Sequence, residues 1–228
     1  MVEYCVDGLP MCRSNRFMAS RIERSAVLRV LRGLGQPPPL IQVIIGPRQV
    51  GKTTVAREIA SRWGGPVQYA AADESLPPGP DWIRGQWELA RQSAGETRSL
   101  LVLDEVQKVR GWSEAVKACW DEDRAAGRAV HVLLLGSSAL LVAAGVTESL
   151  AGRFFLHRCL HWSWSECREA FGWDLNRWIY FGGYPGAAPL IAEETFWGAY
   201  VRDSLVETVL ARDVLALQKV TKPTLLRH

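Results

Sequence analysis

The chain has 228 residues, and 27 basic against 24 acidic residues leave a formal net charge of +3. This charge is too small to indicate nucleic acid or an anionic membrane as the main partner. Apolar residues at 48% and charged residues at 22% exclude a disordered chain and are typical of an ordinary globular protein. The length suits one α/β domain with a small appendage.

Cysteine use and hydropathy bear on the cellular location. The five cysteines form no C-x-x-C pair, which favours reduced thiols and a cytoplasmic location. The N-terminus has no apolar core of signal-peptide length. The longest apolar stretch, residues 129–146, is interrupted by His131 and by a Gly-Ser-Ser sequence at 136–138. We interpret it as strand, turn and short helix, and expect no membrane partner.

The chain begins with about 20 residues of no clear period, which we expect to form a loose extension. An amphipathic helix is predicted to open at Met18. Its apolar face holds Ile22, Ala26, Val30, Leu31 and Leu34, and its basic face holds Arg21, Arg24, Arg29 and Arg32. A solvated surface helix is the simplest interpretation, and contact with nucleic-acid phosphates is the alternative.

The most specific motif follows an apolar run at residues 40–45. Positions 46–53 read Gly-x-x-x-x-Gly-Lys-Thr, which after a strand and before a helix predicts a phosphate-binding loop. The glycines let successive N–H groups point inward, and the helix N-terminus adds partial positive charge. Lys52 would reach the phosphates, and Thr53 would bind Mg²⁺. The predicted nucleotide contacts are Gly46, Pro47, Arg48, Gln49, Val50, Gly51, Lys52, Thr53 and Thr54.

The following segments alternate between strands and helices. Helices are predicted at residues 53–62, at about 82–91 and from Trp112, and strands at 67–71, 99–103 and 130–135. Because these strands are largely apolar and alternate with helices, we expect an α/β fold whose central parallel sheet is flanked by helices.

Two carboxylates, Asp104 and Glu105, end the apolar strand at 99–103. Parallel strands deliver such residues to the carboxyl edge of the sheet, where open α/β sheets bind ligands. We expect Asp104 to hold Mg²⁺ and Glu105 to polarise the attacking water. An acidic turn without function is the simpler alternative, but the upstream loop favours the functional interpretation.

Two further elements complete the predicted site. Ser137 and Ser138 follow the strand at 130–135 and could contact the γ-phosphate, although Ser138 could merely cap the next helix. Arg153 could stabilise developing phosphate charge, in its own chain or in a neighbour. A structural salt bridge of Arg153 is an equal alternative.

The pattern changes after a strand predicted at residues 154–160. We divide the chain into an extension at 1–20, a phosphate-loop domain at 21–162 and a helical subdomain at 163–228. The subdomain contains a Gly-Gly-Tyr-Pro turn at 182–185 and a long helix at about 193–217.

Six motifs together support a family resemblance. They are GPRQVGKTT at 46–54, LDEVQKVRGW at 103–112, LGSSA at 135–139, ESLAGR at 148–153, YFGGYP at 180–185 and ARDV at 211–214. With them, residues 21–228 resemble prokaryotic AAA-family P-loop ATPases that carry a C-terminal nuclease-like domain of unknown function. The resemblance implies an ATPase core followed by a winged-helix-like segment and then that domain.

The resemblance also implies more chain than these residues supply, because no nuclease-like segment follows the helix start at 221–226. We therefore expect an incomplete version of a longer architecture. In that case Leu225 and Leu226 should fray, since two turns of helix are unstable in water. The apolar face of the preceding helix should then be partly uncovered; it holds Trp197, Val201, Leu205 and Val209.

Other arrangements explain the sequence less well. His157, Cys159 and His161 alternate along a predicted strand and could bind zinc, but they also form the more polar strand face and lack C-x₂-C spacing. The ten tryptophans lack interleaved basic residues, which favours helix packing over stacking on single-stranded nucleic acid.

The sequence thus predicts a Mg²⁺-dependent ATPase whose turnover drives a conformational switch. Adenine is favoured over guanine because no Asn-Lys-x-Asp follows the loop. The alternative is a nucleotide-dependent regulatory or DNA-associated binding module with little turnover. A homo-oligomer and a nucleic-acid partner both stay open.

Overall fold

The structure is a computed structural model that describes residues 24–37, 39–73, 78–95, 97–137 and 149–209. The strands are β1 (Ile41–Gly46), β2 (Val67–Ala71), β3 (Ser99–Asp104), β4 (Val130–Ser137) and β5 (Phe154–Arg158). The helices up to β4 are α1 (Ser25–Leu34), α2 (Lys52–Arg62), α3 (Pro80–Ala94) and α4 (Trp112–Ala126), with a 3₁₀ turn at Val106–Lys108.

The five strands form one sheet in the order β2-β3-β4-β1-β5, and every neighbouring pair is parallel. Strands β1 and β3 are buried along their whole length, as their continuous apolar sequences predict. The sheet has one apolar layer shared with α3 and α4 and another shared with α1 and α2. The predicted α/β fold with a helix-flanked parallel sheet is confirmed.

Helices α1 and α2 cover the sheet face that bears the phosphate-binding motif. In α1, Ala26, Val30 and Leu34 are buried, whereas Arg29 and Arg32 belong to its polar side. Arg24 does not follow this pattern: it precedes the first turn of α1 and is only 8% exposed. The prediction that Arg24 lies on a solvated basic face is therefore wrong, because its guanidinium is buried among hydrogen-bond acceptors.

The described part of the chain after β5, which ends at residue 209, is helical. It comprises α5 (Trp164–Phe171), α6 (Leu175–Phe181), a 3₁₀ segment at Pro185–Leu190 and α7 (Glu194–Tyr200), which continues through a π-helical segment at Val201–Val206 into α8 (Glu207–Val209). A capping box between Ser163 and Glu166 starts α5. Aromatic rings dominate the small core here; Trp162 stacks on Phe171 with ring centroids 5.6 Å apart. The division into domains stays a prediction.

The predicted uncovered face of the last helix is only partly observed. Leu205 is buried and Trp197 half-buried, because the Trp197 ring packs edge-on against Phe181 at 5.1 Å. The large apolar side chains exposed here are instead Phe196 and Val206. The predicted exposure is therefore wrong for Leu205. The predicted fraying after residue 220, the extension at 1–20 and the side chain of Val209 lie outside the described residues.

Among the described helices, none is both long enough and apolar enough to cross a membrane.

Candidate nucleotide-binding site

The Gly-x-x-x-x-Gly-Lys-Thr segment connects the carboxyl end of β1 to the first turn of α2. Two glycines make this connection sterically allowed. A Cβ on Gly46 would lie 1.9 Å from the carbonyl oxygen of Cys159, and Gly51 has φ of 93°, a left-handed conformation that glycine adopts without strain. The loop can therefore curl over the sheet edge with its N–H groups turned inward, which is the arrangement that binds phosphate.

Gln49, in the same loop, also has a positive φ of 61°. For a residue with a Cβ this conformation costs about 1–2 kcal/mol and needs support from its surroundings. Part of that support comes from Tyr200, whose hydroxyl donates a 2.6 Å hydrogen bond to Gln49 Oε1. The tip of the loop is thus in contact with the C-terminal helical segment.

Lys52 is the first residue of α2 and is 7% exposed. Its ammonium group folds back over the loop and donates to the carbonyl oxygens of Gly46 at 3.0 Å and Pro47 at 2.7 Å. Burial lowers the pKa of Lys52, and the nearby carboxylates of Glu105 and Asp104 oppose that shift. The loop therefore presents a buried cation on the side where phosphate would bind.

Thr53 and Asp104 meet at this edge although they are 51 residues apart. The Thr53 hydroxyl donates to Asp104 Oδ2 at 2.8 Å, and the backbone N–H of Glu105 donates to Asp104 Oδ1 at 2.9 Å. A threonine hydroxyl beside a carboxylate is an oxygen-only donor set of the kind that Mg²⁺ prefers. The two predicted metal ligands are brought together as the sequence implied.

Glu105 lies outside β3, with φ of 54°, and its Oε2 accepts a 2.6 Å hydrogen bond from Gln107 Nε2. The left-handed turn separates its carboxylate from that of Asp104, so that the two can act differently. The Glu105 carboxylate favours the ammonium form of Lys52 and thereby opposes the lowering of the Lys52 pKa by burial.

Ser137 ends β4 directly opposite Gly46 of β1 in the sheet register. Its side chain is buried, and among the described residues its Oγ has no hydrogen-bond partner. Leaving a buried hydroxyl without a partner costs about 1–3 kcal/mol, so a ligand oxygen at this position would stabilise it. Ser138, the alternative contact, lies outside the described residues.

Arg153 is at the opposite edge of the sheet. Its carbonyl oxygen accepts from the N–H of Ile41, at the start of β1, and its guanidinium forms a two-pronged ion pair with Asp121 at 2.8 and 3.0 Å. The rise of about 3.3 Å per residue puts the start of β1 roughly 17 Å from the loop. The prediction that Arg153 acts on phosphates bound to its own chain is therefore wrong; action on a neighbouring chain stays a prediction.

Tyr69 is a residue of this site that the sequence analysis missed. Its hydroxyl donates to Asp104 Oδ2 at 2.8 Å, the same oxygen that Thr53 contacts. Burial raises the pKa of Tyr69, and the hydrogen bond to Asp104 raises it further, so that the phenol stays a donor. Only the pairing of β2 with β3 brings Tyr69 here, and no local motif marks it.

The remaining predicted contacts lie along the loop and the first turn of α2. Val50 is buried, Arg48 is half-buried, and Thr54 is exposed at the third position of α2.

The side chains considered for zinc have other partners. His157 Nε2 lies 2.7 Å from Gln42 Oε1, Cys159 Sγ accepts from Arg24 at 3.2 Å, and His161 packs edge-on against Tyr184 at 4.5 Å. Within the described ranges no group of three or more His, Cys, Asp or Glu side chains could hold a metal ion.

These observations make the sheet edge a fitting site for a nucleotide with Mg²⁺. The loop supplies a buried ammonium, Ser137 supplies a hydroxyl that has no partner among the described residues, and Thr53 with Asp104 supplies oxygen ligands. The sequence pattern of a family described as an AAA domain matches residues 39–168, more than half of the chain. The chain belongs to this AAA domain family.

Two solved structures resemble this AAA domain chain at low sequence identity. The Aeropyrum pernix Orc1 protein in complex with DNA has 15% identity and a TM-score of 0.46, covering 64% of this chain and 47% of that one. Cdc6p from Pyrobaculum aerophilum has 12% identity and a TM-score of 0.48, covering 66% and 50%. This chain thus spans about half the length of either protein, and neither likeness carries a functional argument. A search of curated proteins gave no match.

Proposed function

We propose that this protein binds ATP with Mg²⁺ at the carboxyl edge of its sheet and hydrolyses it. The observation that carries the proposal is the contact between Thr53 and Asp104, 2.8 Å, beside the buried Lys52 of the loop. A strand–loop–helix junction without a ligand has no need to bury an ammonium beside two carboxylates, because desolvating a charge is unfavourable.

Each side chain has a distinct task in this proposal. Lys52 exchanges its loop carbonyls for phosphate oxygens and holds their charge. Glu105 accepts a proton from the attacking water. Its position just after the end of β3 lies outside the strand and leaves room for that water. Bound Mg²⁺ supplies positive charge that offsets the phosphates. Ser137 donates its hydroxyl, which has no partner in the described part of the chain, to the terminal phosphate.

The test measures ATP affinity and steady-state phosphate release on the same preparation, with and without DNA and with and without Mg²⁺. We expect ATP binding and slow, Mg²⁺-dependent release. Binding without release under every condition would favour the regulatory module over the enzyme. Failure to bind ATP at millimolar concentration would contradict both functions.

Hydrolysis would be coupled to a conformational switch through the contacts between the loop and the helical segment. The hydrogen bond from Tyr200 to Gln49 joins the two parts, so that a change at the loop tip reaches α7 directly. We further propose a cytoplasmic protein that assembles into a homo-oligomer, and the DNA arm of the phosphate-release assay tests a nucleic-acid partner.

Arg153 is expected to act on the nucleotide of a neighbouring chain. Arg153→Ala should then lower hydrolysis by on the order of 10³-fold, while ATP affinity changes little, because an arginine supplied in trans stabilises charge mainly in the transition state. Mixing Arg153→Ala chains with Glu105→Gln chains should restore activity, since each supplies what the other lacks.

Asp121→Asn is the control for a purely structural role of Arg153, because it removes the ion-pair partner and keeps the guanidinium. We expect Asp121→Asn to retain most of the activity. Equal activity per chain over a dilution series in which the oligomer mass changes would exclude action in trans.

Tyr69→Phe is expected to raise the Mg²⁺ concentration needed for half-maximal ATPase activity by about 3–10-fold, because one charge-assisted hydrogen bond no longer orients Asp104. ATP affinity without Mg²⁺ should stay unchanged. Tyr180→Phe, which removes a hydroxyl that contacts Glu194 and not Asp104, is the matched control. An unchanged Mg²⁺ requirement in Tyr69→Phe would show that Thr53 and the Glu105 backbone suffice.

A further inference from the structure

The carbonyl group of Val50, in the phosphate-binding loop, accepts hydrogen bonds from two side chains that lie far from it in sequence. Arg24 Nη1 donates to this oxygen at 2.8 Å, and Trp162 Nε1 donates at 3.2 Å. Arg24 immediately precedes α1, and Trp162 lies between β5 and α5. Two separate segments therefore converge on one peptide group of the loop.

The direction of this carbonyl matters because of the geometry of the peptide bond. In a trans peptide the C=O of one residue and the N–H of the next point in opposite directions. The peptide between Val50 and Gly51 thus has its oxygen held by Arg24 and Trp162, and its N–H aimed away from them. A carbonyl that flipped toward bound phosphate would repel it, whereas an inward N–H attracts it.

The surroundings of Arg24 hold its guanidinium in one position. Besides Val50, it donates to the carbonyl oxygen of Leu160 at 3.1 Å and to Glu166 Oε1 at 3.0 Å, and it lies over the Trp162 ring at 5.4 Å. Arg24 is 8% exposed, so its hydrogen bonds to these acceptors are largely shielded from water and fix the guanidinium in place. The planar fork of arginine suits several fixed acceptors at once.

We propose that Arg24 and Trp162 are positioning residues for nucleotide phosphates, which hold the Val50 carbonyl outward and thereby direct the Gly51 N–H into the loop. The inference rests on the proposed binding of ATP and adds residues outside the Gly-x-x-x-x-Gly-Lys-Thr motif to that site. It also makes phosphate affinity depend on the docking of the segment after β5, through Trp162 and through the Arg24–Glu166 ion pair.

The variants Arg24→Met and Trp162→Phe remove the two donors separately while keeping most of the side-chain volume. Each should lower affinity for ATP and for inorganic triphosphate by the same factor, about 10-fold, because one hydrogen bond to the loop is lost. Arg24→Lys should fall between the unchanged chain and Arg24→Met, since an ammonium can donate to Val50 but cannot reproduce the fork. Affinities are measured well below the unfolding temperature of each variant.

Two matched substitutions control for effects on folding. Arg29→Met lies on α1, where the arginine side chain donates to Ser25 Oγ at 3.0 Å. Trp164→Phe lies two residues after Trp162, and in the described residues Trp164 Nε1 has no hydrogen-bond partner to lose. Both controls should bind triphosphate like the unchanged chain.

The outcomes separate this inference from the proposed function. An unchanged chain that binds ATP, together with Arg24→Met and Trp162→Phe chains that bind triphosphate equally well, would overturn the positioning role alone. An unchanged chain that binds neither ATP nor triphosphate would overturn both. If Arg24→Met failed to fold, Trp162→Phe would still decide, because it removes a single donor from a half-buried ring.

Discussion

Lys52→Ala is expected to lower ATP affinity by about 100-fold or more. The loop would lose the ammonium group that now lies over the carbonyl oxygens of Gly46 and Pro47, and a charge-assisted hydrogen bond contributes up to about 3 kcal/mol. Isothermal titration with ATP and with ADP measures the effect. The loss should be larger for ATP, which brings more phosphate charge to the loop.

The control is Lys117→Ala, the same substitution on α4, away from the loop. Thermal unfolding of both variants shows whether the lost ammonium also destabilises the loop, since two carbonyl groups lose a donor. A Lys52→Ala chain that is folded and binds ATP as tightly as the unchanged chain would place the nucleotide elsewhere in the protein.

Glu105→Gln is expected to reduce phosphate release by about 10²–10⁴-fold, the usual contribution of general acid–base catalysis, while ATP affinity changes by less than about 3-fold. The amide has the shape of the carboxylate and can still accept from Gln107, so the local turn should persist. It cannot accept a proton from water at neutral pH, and turnover should therefore stop after binding.

Glu114→Gln, an exposed glutamate in the first turn of α4, is the matched control and should leave turnover unchanged. Single-turnover measurements on Glu105→Gln separate the chemical step from product release. Normal turnover in this variant would show that another group acts as the general base and that Glu105 only offsets the charge of Lys52.

Much of the fold followed from local sequence because apolar periodicity and glycine placement act over short distances. The strands at 40–45, 99–103 and 130–135 were predicted within about one or two residues of β1, β3 and β4. Strands β1 and β3 are buried along their whole length and β4 everywhere except at His131, which explains their apolar runs. The proposed phosphate-binding loop could be predicted because the residues that would contact phosphate are adjacent in the sequence. Asp104 was readable because it ends a buried strand.

The functional contacts beyond the motif could not be predicted in this way. Tyr69, Arg24 and Trp162 reach the site from segments that look ordinary: a short strand, a basic helix start and an aromatic turn. Arg153 shows the opposite case, because its motif allowed a phosphate contact and a salt bridge equally, and strand direction puts it at the far edge, where it pairs with Asp121. In each case the order of the strands and the direction of the chain determine whether the side chain reaches the site. Local sequence periodicity predicts neither of them.

The sequence by itself determined that the chain forms a parallel α/β sheet and where its proposed phosphate-binding loop and proposed metal-binding carboxylate lie, since these depend on neighbouring residues. Only the tertiary structure decided which side chains converge on that loop. Sheet order places Ser137 beside Gly46 and Tyr69 beside Asp104, and packing after β5 brings Trp162 and Arg24 to Val50. Contacts between residues more than 100 positions apart, such as Trp162 with Val50, arise from packing of the whole chain, which no local pattern encodes.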